Sequence, residues 1–170
     1  MGASRTSSHK ASDTFERVTR SVEETEQVGE QLGRLLSAGD VVALIGELGS
    51  GKTTFIRGLA KGVGIDPEAV KSPTFILLRE YPSALPLIHI DAYRLEHPED
   101  AVWLDVEWMF SPRKVTVIEW ADRIQACWPE DVLTVHLAHK STHQRTLSFR
   151  STGSRSQQVL DALRVAVGVS

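Results

Sequence analysis

Apolar and polar positions follow two rhythms along this chain, and each predicts a different kind of element. Val28, Leu32, Leu35 and Leu36 recur at helical spacing. Ser21 with Glu24 three residues later forms a capping box that opens this helix, and Gly39 closes it. Residues 40–45 are a short apolar run rich in β-branched side chains, the pattern of a buried strand. Apolar positions return to helical spacing from residue 54 to about Val63, where Gly64 stops the helix. Asp66, Pro67 and Glu68 start a short turn. Strand patterns then occupy 75–81, 87–91, 115–119, 133–138 and 146–149, with a further, poorly alternating one at 14–20. The link 82–86 is short enough for an antiparallel hairpin and too short for a crossover helix, so the sheet is expected to be mixed. Residues 93–110 read as helical, with Pro98, Glu99 and Asp100 at the start and Trp103, Leu104, Trp108 and Phe110 as core packing. Residues 133–138 and 146–149 are joined by a polar loop of seven residues. A polar linker at 151–157 precedes a short helix at 159–167.

The resulting picture is a single α/β domain with a mixed central sheet flanked by helices, over residues 13–150. A disordered tail is expected at 1–12, and a linker with a short helix at 151–170. The 170-residue length suits one domain with a real core. Net charge of -3 carries no global bias toward nucleic acid. No apolar run approaches the ~18 residues of a membrane span, and the first residues carry no secretory signal. A single cysteine, Cys127, excludes an internal disulfide and fits a reducing, cytoplasmic setting.

The strongest chemical signal is Gly46-Glu47-Leu48-Gly49-Ser50-Gly51-Lys52-Thr53, which fits G-x-x-x-x-G-K-[ST]. It lies between the predicted strand at 40–45 and the helix that follows, where a phosphate-binding loop belongs. Its glycines let backbone N–H groups approach phosphate oxygens, and the new helix directs its positive end at the same anion. In such a loop Lys52 reaches the β and γ phosphates and the Thr53 hydroxyl is a ligand for Mg²⁺. Phosphate-loop proteins also need an acid at the end of a neighbouring strand for the Mg²⁺ shell. Asp91 and Glu119 each end a strand-like run, and the spacing leaves both open for that role. His136, His139 and His143 are not read as a metal site: His136 and His139 face opposite ways on one strand, and no cysteine or carboxylate completes a set.

Several segments together resemble the TsaE family, the bacterial ATPase of tRNA threonylcarbamoyladenosine biosynthesis. They are Glu24-Thr25-Glu26-Gln27-Val28-Gly29, the loop through Thr54, Gly58 with Gly64, Ser72-Pro73-Thr74-Phe75, His89-Ile90-Asp91-Ala92-Tyr93-Arg94-Leu95 and Ile118-Glu119-Trp120. The resemblance runs from about Ser21 to Phe149. Glu47, Ser50, Ala92 and Ala121 are mild departures that remove no catalytic group. The resemblance implies weak ATP hydrolysis in support of a TsaD–TsaB partner pair, with tRNA contacted only indirectly. It places Lys52 on phosphate, Thr53 and Glu119 on Mg²⁺, and Asp91 near the γ-phosphate. Glu47, Gly49, Ser50, Gly51, Thr54 and Thr74 belong to the nucleotide site on the same ground. Thr25 and Arg145 resemble nucleotide-contacting positions, and Ser72-Pro73-Thr74 resembles a switch that senses the γ-phosphate.

A small-molecule kinase would share the loop and the acid, but would need an arginine-bearing lid; Arg113, Lys114 and Arg123 are scattered. A nucleotide-gated binding module without turnover is a third reading. A GTPase is disfavoured because no Asn-Lys-x-Asp segment occurs.

Overall fold

The run at 40–45 becomes the innermost strand of the molecule. In chain order the strands are β1 (Thr14–Thr19), β2 (Val41–Ile45), β3 (Leu78–Tyr81), β4 (Leu87–Asp91), β5 (Val115–Glu119), β6 (Leu133–His139) and β7 (Arg145–Ser151). The computed structural model describes residues 13–74, 77–97, 99–100 and 104–168, and among these the strands form one sheet in the order β1-β7-β6-β2-β5-β4-β3. The pairings differ in sense: the four inner strands β6, β2, β5 and β4 run parallel through three pairings, while β1, β7 and β3 are antiparallel to their neighbours. The sheet is therefore mixed, and β3 and β4 form the hairpin that the short link at 82–86 predicts.

Strand periodicity sorts the core into two layers. Val42, Leu44, Leu87, Val115 and Val117 face α1 (Val22–Leu35), α2 (Lys52–Gly62) and α4 (Ser154–Ala166). Val41, Ala43, Ile88, Ile90 and Ile118 face the other side, covered by Met109 of α3 (Val106–Met109) and Ile124 of the 3₁₀ segment Ala121–Cys127. By the same alternation His89, Asp91 and Glu119 share the face of Leu87 and Val117, the one α2 covers. On that face α1 and α2 pack backbone to backbone. A β-carbon on Gly58 would lie 1.9 Å from the carbonyl oxygen of Glu26, and one on Gly29 would lie 2.2 Å from that of Phe55.

Local signals set the ends of α1 in part. Ser21 Oγ accepts from the Glu24 amide at 3.1 Å, but the Glu24 carboxylate accepts from the Arg20 amide at 2.8 Å, one residue before the cap. The helix ends at Leu35, and Gly39 (φ +92°) turns the chain into β2 instead of closing the helix. Gly64 (φ +88°) follows α2 as expected, and Asp66 caps the turn Pro67–Ala69.

Three expectations are corrected. Residues 93–110 are not one helix: among the described residues only Val106–Met109 is α-helical, with Glu99 and Asp100 in a 3₁₀ turn. Asp100 intercepts backbone donors a helix would use, accepting from the amides of Glu96 and His97. Trp108 is 39% exposed with Lys114 over its ring, while Leu104 and Phe110 are partly buried against the second layer. Phe75, Pro98 and Trp103 lie outside the described residues. The loop between β6 and β7 spans only 140–144, because both strands are longer than read. The supposed linker at 151–157 is the end of β7 and the first turn of α4. Asp131, far away in sequence, accepts from the Arg155 and Ser156 amides at 2.8 and 2.9 Å and so starts that helix early. Val159, Leu160 and Leu163 then enter the first core layer.

Candidate functional site

The turn from β2 into α2 places residues 46–53 at the carboxyl end of the sheet's parallel strands. Gly51 has φ +102°, a left-handed value that side chains disfavour, and its conformation aims the start of α2 into the loop. No side chain caps α2, so its first-turn amides are available to an anion. Lys52 is 5% exposed and curls back over the loop, donating to the carbonyl oxygens of Gly46 at 2.6 Å and Glu47 at 2.9 Å. The face of Trp120 lies 4.1 Å from Nζ. Burial pushes the Lys52 ammonium below its ordinary pKa, against the opposing attraction of Glu119, Asp91, Asp122 and Glu47.

The two strand-end acids are register partners on adjacent parallel strands, Asp91 on β4 and Glu119 on β5. Both are almost fully buried, at 2% and 3% exposure, yet both line one cavity of about 440 Å³ with Gly49, Gly51, Lys52 and Thr53. Their surroundings differ. Thr53 Oγ1 lies 3.2 and 3.3 Å from the two oxygens of Glu119, and His89 Nε2 lies 2.8 Å from Oε1. Asp91 Oδ2 accepts from the Ser72 hydroxyl at 2.6 Å and the Thr74 hydroxyl at 2.8 Å, and Oδ1 accepts from the Tyr93 amide at 2.9 Å. Those two hydroxyls are also 3.0 Å apart. Each carries one hydrogen, so with both committed to Asp91 the third contact carries none.

Trp120 sits immediately after Glu119 in a left-handed conformation, φ +55°, uncommon for a bulky residue. That turn lays its ring beside Lys52 and 5.0 Å from Tyr93. Arg123 covers both rings at 5.2 Å and donates to the Tyr93 carbonyl. Sequence reasoning assigned no role to His89 or to the Trp120 ring. The signal for His89 was its spacing of two from Asp91 within a strand, which puts both on one face. Nothing local signalled the Trp120 conformation.

A second cavity of about 360 Å³ lies on the other side of the loop and shares Gly49, Gly51 and Thr54 with it. It contains Thr25 and Arg145, which the chain separates by most of the domain. Thr25 is 2% exposed and donates to the Ser21 carbonyl at 3.2 Å. Arg145 reaches the Gly49 carbonyl at 3.5 Å. Glu47 and Ser50 line neither cavity; Glu47 contributes its carbonyl to Lys52, and the fully buried Ser50 hydroxyl lies 3.5 Å from Nζ. Thr74 lines the first cavity through its place beside Asp91.

A β–loop–α unit with its lysine and threonine beside paired strand-end acids defines a phosphate-loop nucleotide-binding protein. The family model described as threonylcarbamoyl adenosine biosynthesis protein TsaE matches residues 19–147. The tRNA threonylcarbamoyladenosine biosynthesis protein TsaE of Bacillus subtilis is 35% identical over 142 residues, covering 83% of this chain and 88% of that protein. That of Treponema pallidum is 43% identical over 120 residues, covering 71% of this chain and 88% of that protein. The crystal structure of Bacillus subtilis YdiB superposes with a TM-score of 0.78 at 29% identity, covering 92% of this chain and 97% of that one. The chain belongs to the TsaE family.

Proposed function

We propose that this protein is a Mg²⁺-dependent ATPase subunit supporting threonylcarbamoylation of the adenosine beside the tRNA anticodon, through a TsaD-like and TsaB-like partner pair in the cytoplasm. Family membership and the names of its relatives support the pathway. The observation that carries the nucleotide chemistry is the convergence of Lys52, Thr53, Asp91 and Glu119 on one cavity at the start of α2. Thr53 and Glu119 offer a hydroxyl and a carboxylate within 3.2 Å of each other, the all-oxygen donor set that Mg²⁺ prefers. Thr53 and Glu119 would hold the ion, which would supply neutralisation of phosphate charge. Lys52 exchanges its loop carbonyls for phosphate oxygens. Asp91 orients the attacking water, and its Ser72 and Thr74 partners sense the γ-phosphate. Thr25 and Arg145 serve the nucleoside side through the second cavity.

Partner dependence is supported by the net charge of -3, which offers little footprint for a polyanion, and by the exposed Ser72 beside the buried Asp91. ATP is expected to favour docking on the partner pair, and docking must then tighten ATP equally. The small-molecule kinase reading is not favoured by the family match. Of its candidate lid cations, Lys114 is 2.8 Å from Glu80 and Arg123 is stacked on Tyr93 and Trp120.

The test is reconstitution of tRNA modification with and without this chain, alongside docking to the partner pair with ADP and with a non-hydrolysable ATP analogue. Modification that needs the chain, with docking stronger in the analogue, supports the reading. Equal docking in both states, with full phosphate release by the isolated chain, defeats it.

A further inference from the structure

β4 alternates Leu87, His89 and Asp91 along the face that α2 covers. The middle position is 0% exposed. A leucine there would continue the core, whereas a buried imidazole is stabilising only where its nitrogens find partners. One does: Nε2 lies 2.8 Å from Glu119 Oε1. The other, Nδ1, is buried without a partner. A carboxylate accepts only, so Nε2 must be the donor. With the proton on Nε2, only a lone pair is left unsatisfied at Nδ1. The alternative tautomer strands an N–H there and sets a second lone pair against Glu119.

What this bond adds becomes clear from the other partner of Glu119. Thr53 Oγ1 is nearly equidistant from the two carboxylate oxygens, at 3.2 and 3.3 Å. Its single hydrogen selects neither oxygen, and the terminal torsion of a glutamate is broad and roughly two-fold. His89 breaks that symmetry. It approaches Oε1 from inside the core and holds the carboxylate plane in one orientation, leaving Oε2 without a second side-chain bond among the described residues.

We propose that His89 is a positioning residue for the metal-binding acid: its Nε2–H fixes Glu119 Oε1, so that Oε2 and the Thr53 hydroxyl are presented together to a divalent cation. The inference rests on the reading that Glu119 serves the Mg²⁺ shell. Hydrogen bonds behind a ligating group commonly govern metal affinity in this way. His89 touches neither nucleotide nor reacting atoms; it acts through Glu119.

The test titrates Mg²⁺ against a fixed concentration of a non-hydrolysable ATP analogue, read by calorimetry, with nucleotide affinity in excess chelator measured separately. His89→Leu keeps the bulk and removes the donor. It should raise the Mg²⁺ concentration for half-maximal tightening about 10-fold, with affinity in chelator unchanged. His89→Gln, whose amide nitrogen can reach the place of Nε2, should recover most of that loss. Glu119→Ala is the control and should shift the Mg²⁺ requirement at least as far. A Glu119→Ala shift with a wild-type Mg²⁺ response in His89→Leu would show His89 to be core filling and overturn the inference alone. No shift in Glu119→Ala would remove the metal reading, and this inference with it. Equal losses in the Leu and Gln variants, accompanied by weaker binding in chelator, would also overturn it. Nitrogen-15 NMR of the wild-type protein keeps the test independent of variant folding. It should find the His89 proton on Nε2, with that resonance moving when Mg²⁺ and ADP are added. A proton on Nδ1 would contradict the proposal.

Discussion

Asp91 and Glu119 are chemically alike, adjacent in the sheet and equally buried, yet they are held by opposite kinds of support. Glu119 is fixed from behind by His89, a fully buried residue of the neighbouring strand, and from the side by Thr53 at the start of α2. Both supports belong to elements locked into the first core layer. Asp91 is held by Ser72 and Thr74, on the connection between the turn Pro67–Ala69 and β3, where Ser72 is exposed. Hydroxyls on a connecting segment can exchange partners without disturbing the core; an imidazole packed inside it cannot. The proposed roles match these supports: rigid backing suits a metal-holding acid, and exchangeable hydroxyls suit an acid that reports the phosphate state to the surface. The difference lies in which elements carry the donors, not in the acids themselves.

The largest expected effect comes from the group both acids surround. Lys52→Ala should weaken Mg²⁺·ATP binding by about 100-fold, given that charge-assisted hydrogen bonds each contribute ~1.5–3 kcal/mol. Near-normal affinity by calorimetry would sink the assignment of the phosphate site. Next in size is the split between the acids. Glu119→Ala should raise the Mg²⁺ requirement by more than the ~10-fold typical of losing an outer partner. Asp91→Ala should lower turnover with a smaller change in metal requirement. Steady-state rates across a Mg²⁺ titration would show the reverse pattern if the two roles are swapped.

A smaller effect should separate the supports. Thr74→Ala removes one hydrogen bond of ~1 kcal/mol, so nucleotide affinity should change by no more than about 5-fold. The difference in docking between ADP and the ATP analogue should shrink more than that. A variant that loses nucleotide affinity and keeps the full docking difference would place Thr74 in the binding floor instead of the switch.

The smallest effect is a pH dependence. Burial lowers the Lys52 pKa, while anionic phosphate favours the ammonium. Binding therefore takes up a proton above the lowered pKa, and nucleotide affinity should fall as pH rises through it. The linked stability has the opposite sign. Between the folded and unfolded pKa values the unfolded chain binds more protons, so the folded state gains stability with rising pH in that window. Affinity that is flat into the alkaline range in wild type would show that Lys52 does not lose its proton there.

Legibility from sequence followed the range of the interaction responsible. The strand at β2, the loop at 46–53 and the stop at Gly64 rest on neighbours within a few residues, and each was readable. So was the mixed sheet, because a five-residue link at 82–86 leaves only a hairpin. Asp91 and Glu119 were visible as strand-end acids, but their spacing alone did not divide the roles between them. The start of α4 was misread because it is governed from afar, and 93–110 because nearby side chains take its backbone donors. Asp131 starts α4 across more than twenty residues of sequence, whereas Asp100, three and four residues away, takes the amides of His97 and Glu96 that a helix over 93–110 would use.

What the chain determined by itself was therefore the kind of chemistry: a lysine, a threonine and glycines at phosphate-loop spacing can serve little else, since that spacing is set by one turn of backbone. What only the tertiary structure decided was how each group is held. Parallel register puts Asp91 beside Glu119, strand alternation turns His89 toward Glu119 from inside the core, and the left-handed Trp120 brings its ring to Lys52. Those contacts join residues dozens of positions apart, whose proximity depends on the order and register of the sheet, and no local pattern encodes that.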